Sequence, residues 1–206
     1  KDASRFPEFS EDVAVAMRTS LLLFLDDVVW GTDSDYRKFF TDERVFLNGS
    51  TAPLFDIPLK REAAFRPVRL DDGQRAGIVT HPYMMSMLSY ADSTSPIHRG
   101  VFLARSILGN VLKPPVNAIA PLSATIHPEL TTRERVALQT KASACQTCHA
   151  MINPLGFALE EYDALGRLRI TEDRNGRSMP INAEGNYQPR IGKETSFYGG
   201  RELGHF

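Results

Sequence analysis

The run Cys145-Gln146-Thr147-Cys148-His149 sets two thiols three positions apart, with an imidazole directly after the second. Thiols one helical turn apart lie on one side of the chain, where each can add to a vinyl group of haem. The next residue is then held beneath the porphyrin and can ligate iron through a ring nitrogen. The pattern points to one covalent haem c, attached through Cys145 and Cys148 with His149 as the proximal iron ligand. Covalent attachment keeps the haem bound even where the chain wraps it incompletely. The axial ligands and the surrounding dielectric then set its potential.

Other uses of the same residues compete with this one. A structural zinc needs a fourth ligand, and His81, His98, His127 and His205 show no paired spacing. A thioredoxin-like redox pair needs a βαβ setting that the surrounding pattern lacks. The chain has 206 residues and only these two cysteines, so a disulfide framework is excluded.

The distal ligand is open. Candidates are Met84, Met85, Met87, Met151, Met179, His81, His98, His127 and His205. Met151 sits too near His149 in sequence to reach the opposite face. A helical methionine stripe such as Met84, Met85 and Met87 is ordinary core packing. Met179 follows Asn175-Gly176-Arg177-Ser178 and precedes Pro180, and a turn-rich loop of this kind presents a side chain without bending a helix. Met179 is therefore the expected distal ligand, with His81 as the alternative. Arg99, Arg105, Arg167 and Arg169 are the guanidinium groups suited to haem propionates, although each also reads as an ordinary surface residue. Glu160, Glu161 and Asp163 read as a solvated face.

These residues need elements to position them. Ser10-Glu11-Asp12 starts a helix, and Val13, Met17, Leu21, Leu25 and Val28 recur at helical spacing, which predicts a long helix over 10–30 ended by Gly31. A short helix is expected up to Phe40, then an extended Arg44–Leu47 with a turn at Asn48-Gly49. Val68–Leu70 and Gly77–Val79 are read as short strands around Asp71-Asp72-Gly73, and Pro82–Tyr90 as a helix. Ser95-Pro96 opens another helix, closed by Gly109-Asn110. Pro114, Pro115 and Pro121 mark an extended connector. A charged helix over Thr131–Lys141 leads into the cysteine motif. After Pro154 a separate short helix over Leu155–Leu165 is expected. The segment from Arg177 to Tyr187, with Asn175-Gly176 and Glu184-Gly185-Asn186, suggests a small β-hairpin or two.

Composition bounds the rest. Hydrophobic residues make up 42 %, charged residues 24 %, and the formal net charge is −1. That balance gives no reason to expect nucleic acid as a partner. The longest apolar run, Leu21 to Leu25, is far too short to span a bilayer. Lys1 to Pro7 lacks the apolar core of an export signal, and Gly199 to Phe206 reads as a helix beginning. The expectation is a piece of a longer exported protein, incomplete at its C-terminus.

The run from His149 through Asn153-Pro154-Leu155-Gly156-Phe157-Ala158-Leu159-Glu160 to Tyr162-Asp163-Ala164-Leu165-Gly166-Arg167 resembles the cytochrome-associated domains abundant in planctomycetes and myxobacteria. Thr94-Ser95-Pro96 with Arg99-Gly100, and Gly77-Ile78-Val79-Thr80, extend the likeness. The part through Phe46-Leu47-Asn48 is similar to the helical domain that precedes them. The resemblance implies large exported proteins of mostly unknown function, in which c-type haem carries electrons. Gln139 stands where family members often have a histidine.

The expectation is thus a mainly α protein: a helical N-terminal segment over 1–66 and a cytochrome c-like haem region with small β-hairpins over 67–206. Its expected role is single-electron transfer to a redox partner protein, within a larger multi-haem or membrane-associated complex, in the periplasm or otherwise outside the cytoplasm. The alternative is a haem enzyme, a peroxidase or an oxidase of organic substrates, with an open distal site. A structural or assembly role stays open beside both.

Overall fold

Ser10 opens the first helix as the sequence pattern requires: its hydroxyl accepts from the Val13 amide at 3.2 Å. Glu11 and Asp12 then stand at the positive end of the helix dipole. The computed structural model describes residues 1–70, 73–113 and 127–206. Its elements are α1 (Glu11–Trp30), α2 (Lys38–Thr41), β1 (Arg44–Leu47), β2 (Arg66–Arg69), α3 (Gly77–Thr80), α4 (Pro82–Met87), α5 (Pro96–Phe102), α6 (Thr132–Gln139), α7 (Ser143–Phe157), β3 (Thr171–Arg174), β4 (Arg177–Pro180), β5 (Glu184–Tyr187), β6 (Thr195–Tyr198) and α8 (Gly199–His205). A 3₁₀ turn covers Ala52–Phe55, and α5 continues as a π-helical stretch over Leu103–Ile107.

Helix accounts for 42 % and strand for 14 % of the described residues, so the fold is mixed rather than clearly mainly α. The strands form three separate antiparallel pairs, β1–β2, β3–β4 and β5–β6. Two compact units divide the chain. The first comprises Lys1–Ser93, Tyr162–Leu168 and Gly200–Phe206; the second comprises Thr94–Glu161 and Arg169–Gly199.

In the first unit, Phe6, Val13, Met17, Leu54, Ala164 and Leu165 form one buried cluster, and Val45, Leu47, Ala52 and Leu70 form another. Helix α1 packs on β1 and α4. Gly77–Val79 is not a strand but part of α3. Gly77 takes φ +49°, and a Cβ there would overlap the Phe39 carbonyl. Its amide donates to Asp42 O at 2.7 Å. This close approach turns the chain into a helical turn, an outcome that the β-branched run Ile78-Val79-Thr80 does not suggest.

In the second unit, α7 is the centre, packed on α5, α6, β5 and the π-helical stretch. The expected helix break at Pro154 does not occur: α7 runs from Ser143 through Pro154 to Phe157, and Leu155–Leu165 is not a separate helix. Proline inside a helix removes one hydrogen bond and crowds the preceding turn. Close backbone contact with α5 offsets that cost. A Cβ on Gly100 would overlap the Ile152 carbonyl oxygen, and one on Gly156 would overlap that of Pro96. Glu184-Gly185-Asn186 lies in β5, paired with β6, where Gly185 stands against the Pro154 carbonyl and the Phe197 ring. The Asn175-Gly176 turn is as expected, with φ +53° and +74° joining β3 to β4. The proline connector lies outside the described residues.

Candidate functional site on helix α7

Helix α7 is anchored at one end and presented at the other. Ile152, Asn153, Leu155, Gly156 and Phe157 are buried. Cys145, Cys148 and His149 are partly exposed, and the two thiols are not joined to each other. Spacings of three and four place all three side chains on one helix face. The anchored end is held from α6, where the Arg133 guanidinium lies 4.4 Å from the centre of the Phe157 ring. Arg133 also donates to Glu184 O at 2.6 Å.

The start of α6 is fixed in turn. Thr131 and Glu134 form a reciprocal capping box. Glu172 on β3 accepts from the Thr132 amide and hydroxyl, each at 2.9 Å. At its other end, α6 closes on Thr140, whose carbonyl accepts from Gln146 Nε2 at 2.5 Å. The segment carrying the cysteines is thus tied directly to the end of α6.

His149 Nδ1 is 2.9 Å from Asn153 Oδ1, one helical turn further on. Asn153 Nδ2 donates to Thr140 Oγ1 at 2.8 Å. Among the described residues no hydrogen bond engages His149 Nε2. Sequence reasoning missed Asn153 and Thr140. The four-residue step from His149 to Asn153 was a usable signal for the first; nothing in the sequence marks Thr140. Two unlinked thiols and an imidazole with one nitrogen held and the other open form a donor set that fits a haem attached at this face. Among the described residues no group of three or more His, Cys, Asp or Glu side chains is arranged to hold a metal ion.

Met179 lies on β4, partly buried and paired across the hairpin with Glu172, in the same unit as the cysteines. His81 lies in the first unit and is 1 % exposed. Its Nδ1 accepts from the Tyr83 amide at 3.2 Å, and its Nε2 is 3.4 Å from Ser20 Oγ. Burial, with the Arg75 charge adding to it, pushes its pKa down to about 3. Met84 and Met85 are buried core residues of α4, and Met87 is exposed. Met151 is on α7, His98 on α5, His205 on α8, and His127 lies 3.4 Å from Glu129.

The charged residues depart from expectation. Arg99 is not a surface residue but is fully buried, donating to Leu159 O at 2.6 Å and standing 3.6 Å from Glu160. Glu160 is 2 % exposed rather than solvated, and accepts from Thr94 Oγ1 at 2.7 Å. Burial raises its pKa against the opposing pull of Arg99 and Arg169. Arg169 lies 3.5 Å from the same carboxylate, and Arg167 pairs with Asp163 and Glu8. Three of the four candidate guanidinium groups are thus committed to protein carboxylates. Arg105 is exposed.

Two family descriptions match the chain. Residues 1–57 are similar to PSD4, a protein of unknown function (DUF1592), and residues 75–172 to PSCyt3, a protein of unknown function (DUF1588). Both are cytochrome-associated domains of unknown function. The second match includes the whole cysteine–histidine motif and Asn153. No curated protein and no solved structure matches the chain. Among the described residues no helix is long and apolar enough to cross a membrane.

Proposed function

We propose that the chain is a c-type cytochrome unit, carrying one haem c on Cys145 and Cys148 with His149 as proximal ligand. In this reading the haem belongs to the second unit, Thr94–Glu161 with Arg169–Gly199. The observation that carries this reading is the face of α7: two unbridged thiols beside an imidazole whose Nδ1 is held by Asn153 and whose Nε2 is open. The cytochrome-associated family descriptions support it. When bound, haem supplies a one-electron couple. The chain's own part is to fix the haem edge through the thiols, to orient the imidazole and to set the surrounding dielectric.

Electron transfer to a redox partner protein, within a larger multi-haem or membrane-associated assembly, is the role that follows. Haem attachment to paired thiols takes place outside the bacterial cytoplasm, so the compartment is periplasmic or cell-surface. Met179 is the distal ligand in this reading. It shares a unit with His149, whereas both nitrogens of His81 are taken up in the first unit's core.

The test is expression alongside a c-haem attachment system. The wild-type chain is expected to keep haem through denaturation and acid extraction, and the Cys145→Ala, Cys148→Ala double variant to lose it. Haem that persists in the double variant, or a wild-type chain that never acquires covalent haem, overturns the reading. Met179→Ala is expected to abolish the near-infrared band of methionine ligation in the oxidised form. An unchanged low-spin spectrum in that variant removes Met179. High-spin iron in the wild type would favour the haem-enzyme alternative.

A further inference from the structure

The hydrogen bonds behind His149 have a direction, and the chemistry of their partners fixes it. Thr140 Oγ1 donates to Val136 O at 2.7 Å, and a carbonyl can only accept, so the single hydroxyl proton is used there. Toward Asn153 the hydroxyl must therefore accept. That requires the amide NH₂ to face Thr140 across the 2.8 Å contact. The Asn153 carbonyl oxygen then faces His149, and since it too can only accept, the proton of the 2.9 Å contact belongs to His149 Nδ1. Nε2 is left as the nitrogen with the lone pair. Thr140 is 3 % and Asn153 6 % exposed, so water competes little for either.

We propose that Asn153 is a positioning residue for the haem iron and that Thr140 sets its polarity. Together they hold His149 as the Nδ1–H tautomer and raise the donor strength of Nε2, which lowers the reduction potential. The proposal rests on the haem reading above. A ring N–H that donates to an acceptor gives its other nitrogen more electron density, and that favours the oxidised metal. A half-exposed histidine without this arrangement would be free to place its proton on either nitrogen. The pair also acts at the right place mechanically. Thr140 closes α6, and its carbonyl holds Gln146 within the cysteine motif. One residue thus fixes both the attachment turn and, through Asn153, the ring of the ligand.

The experiment measures reduction potential and low-spin magnetic spectra of the haem-loaded chain and four variants. Asn153→Asp offers a stronger, charged acceptor and is expected to lower the potential. Asn153→Leu removes the acceptor and is expected to raise it. Thr140→Val keeps the side-chain shape but frees the amide to turn, and is expected to shift the potential in the same direction as Asn153→Leu. Thr140→Ser is expected to restore the wild-type value. Potentials that coincide in wild type, Asn153→Asp and Thr140→Val overturn the proposal. If Asn153→Leu fails to fold, the Asp variant and the Thr140 pair carry the test, since rescue by serine does not follow from a general loss of packing. If the purified chain carries no covalent haem, the haem reading fails separately. The bond order is then read on that same protein from the nitrogen-15 shifts of His149. Protonated Nδ1 with unprotonated Nε2 supports the arrangement, and the reverse overturns it.

Discussion

His81 caps the start of α4 and His149 stands on α7, and the two show how differently surroundings can occupy one residue type. His81 caps α4 through Nδ1, meets Ser20 through Nε2, and stacks obliquely near Phe24 with ring centres 5.9 Å apart. Its neighbourhood is complete. His149 is partly exposed, holds one acceptor at Nδ1, and has no hydrogen bond at Nε2 among the described residues. A ligand nitrogen must keep an open lone pair, so the difference lies in what each neighbourhood leaves unused. Changes at the two sites should therefore fail in different ways. Removing Cys145 and Cys148 is expected to abolish covalent haem completely, whereas His81→Asn is expected to leave haem attachment and its spectrum intact. A spectrum altered in His81→Asn would break the contrast.

The next effect is a pH dependence, and it belongs to His81. Its pKa falls from 6.5 to about 3 on burial. Between those values the unfolded chain binds a proton at this residue and the folded chain does not. Stability therefore rises with pH across the window and is lost as pH falls from about 6.5 toward 3, by about 1.4 kcal/mol per pH unit. Asn at this position can still accept from the Tyr83 amide but does not titrate. His81→Asn is expected to lower stability at pH 7 and to flatten this slope, measured by urea denaturation at pH 7, 5 and 4. An equally steep slope in the variant would show that His81 is not the source.

Packing at the second site gives a smaller effect. Gly156→Ala on α7 should stabilise an isolated helix by about 1 kcal/mol. Here the new methyl group meets the Pro96 backbone, so a net loss of about 2 kcal/mol is expected as α5 and α7 are forced apart. The second unit's loss of stability should come without any change in the His81-linked pH slope. A gain in thermal midpoint would mean that the two helices yield more readily than their contact implies.

The same glycines explain which parts of the fold could be read in advance. Local rules carried what local residues decide: the Ser10 cap and periodicity of α1, the start of α6, the Asn175-Gly176 turn, and the cysteine–histidine spacing. They failed where a distant backbone decides. Gly77 becomes helical because Phe39 lies against it, and α7 passes through Pro154 while Gly100 and Gly156 bring α5 close. Glu160 reads as a surface acid until Arg99 and Thr94 are found enclosing it. At the candidate site, the placing of Cys145, Cys148 and His149 on one face of α7 was legible because it follows from their spacing alone. Thr140 was not, because its role depends on the path by which α6 returns to α7.

The smallest effect separates stability from the chemistry of His149. Thr131 caps α6: its side chain accepts from the Glu134 amide at 3.2 Å, while Glu134 accepts from the Thr131 amide at 2.7 Å. Thr131→Ala removes the first of these bonds and leaves the second. N-cap losses of this kind cost about 1 kcal/mol, and this cap is exposed, so water replaces part of what is lost. The effect stays at the beginning of α6. Glu172 still holds Thr132 through its amide and hydroxyl, and Thr140 lies two turns away at the far end. Thr131→Ala is therefore expected to lower the denaturation midpoint of the second unit slightly and to leave the His149 nitrogen-15 shifts where they were. Thr140→Val should move those shifts and also lower the midpoint further, since it removes two hydrogen bonds of a buried hydroxyl. If Thr131→Ala moves the histidine shifts as far as Thr140→Val does, then α6 as a whole, rather than the single hydroxyl at its end, controls the orientation of His149.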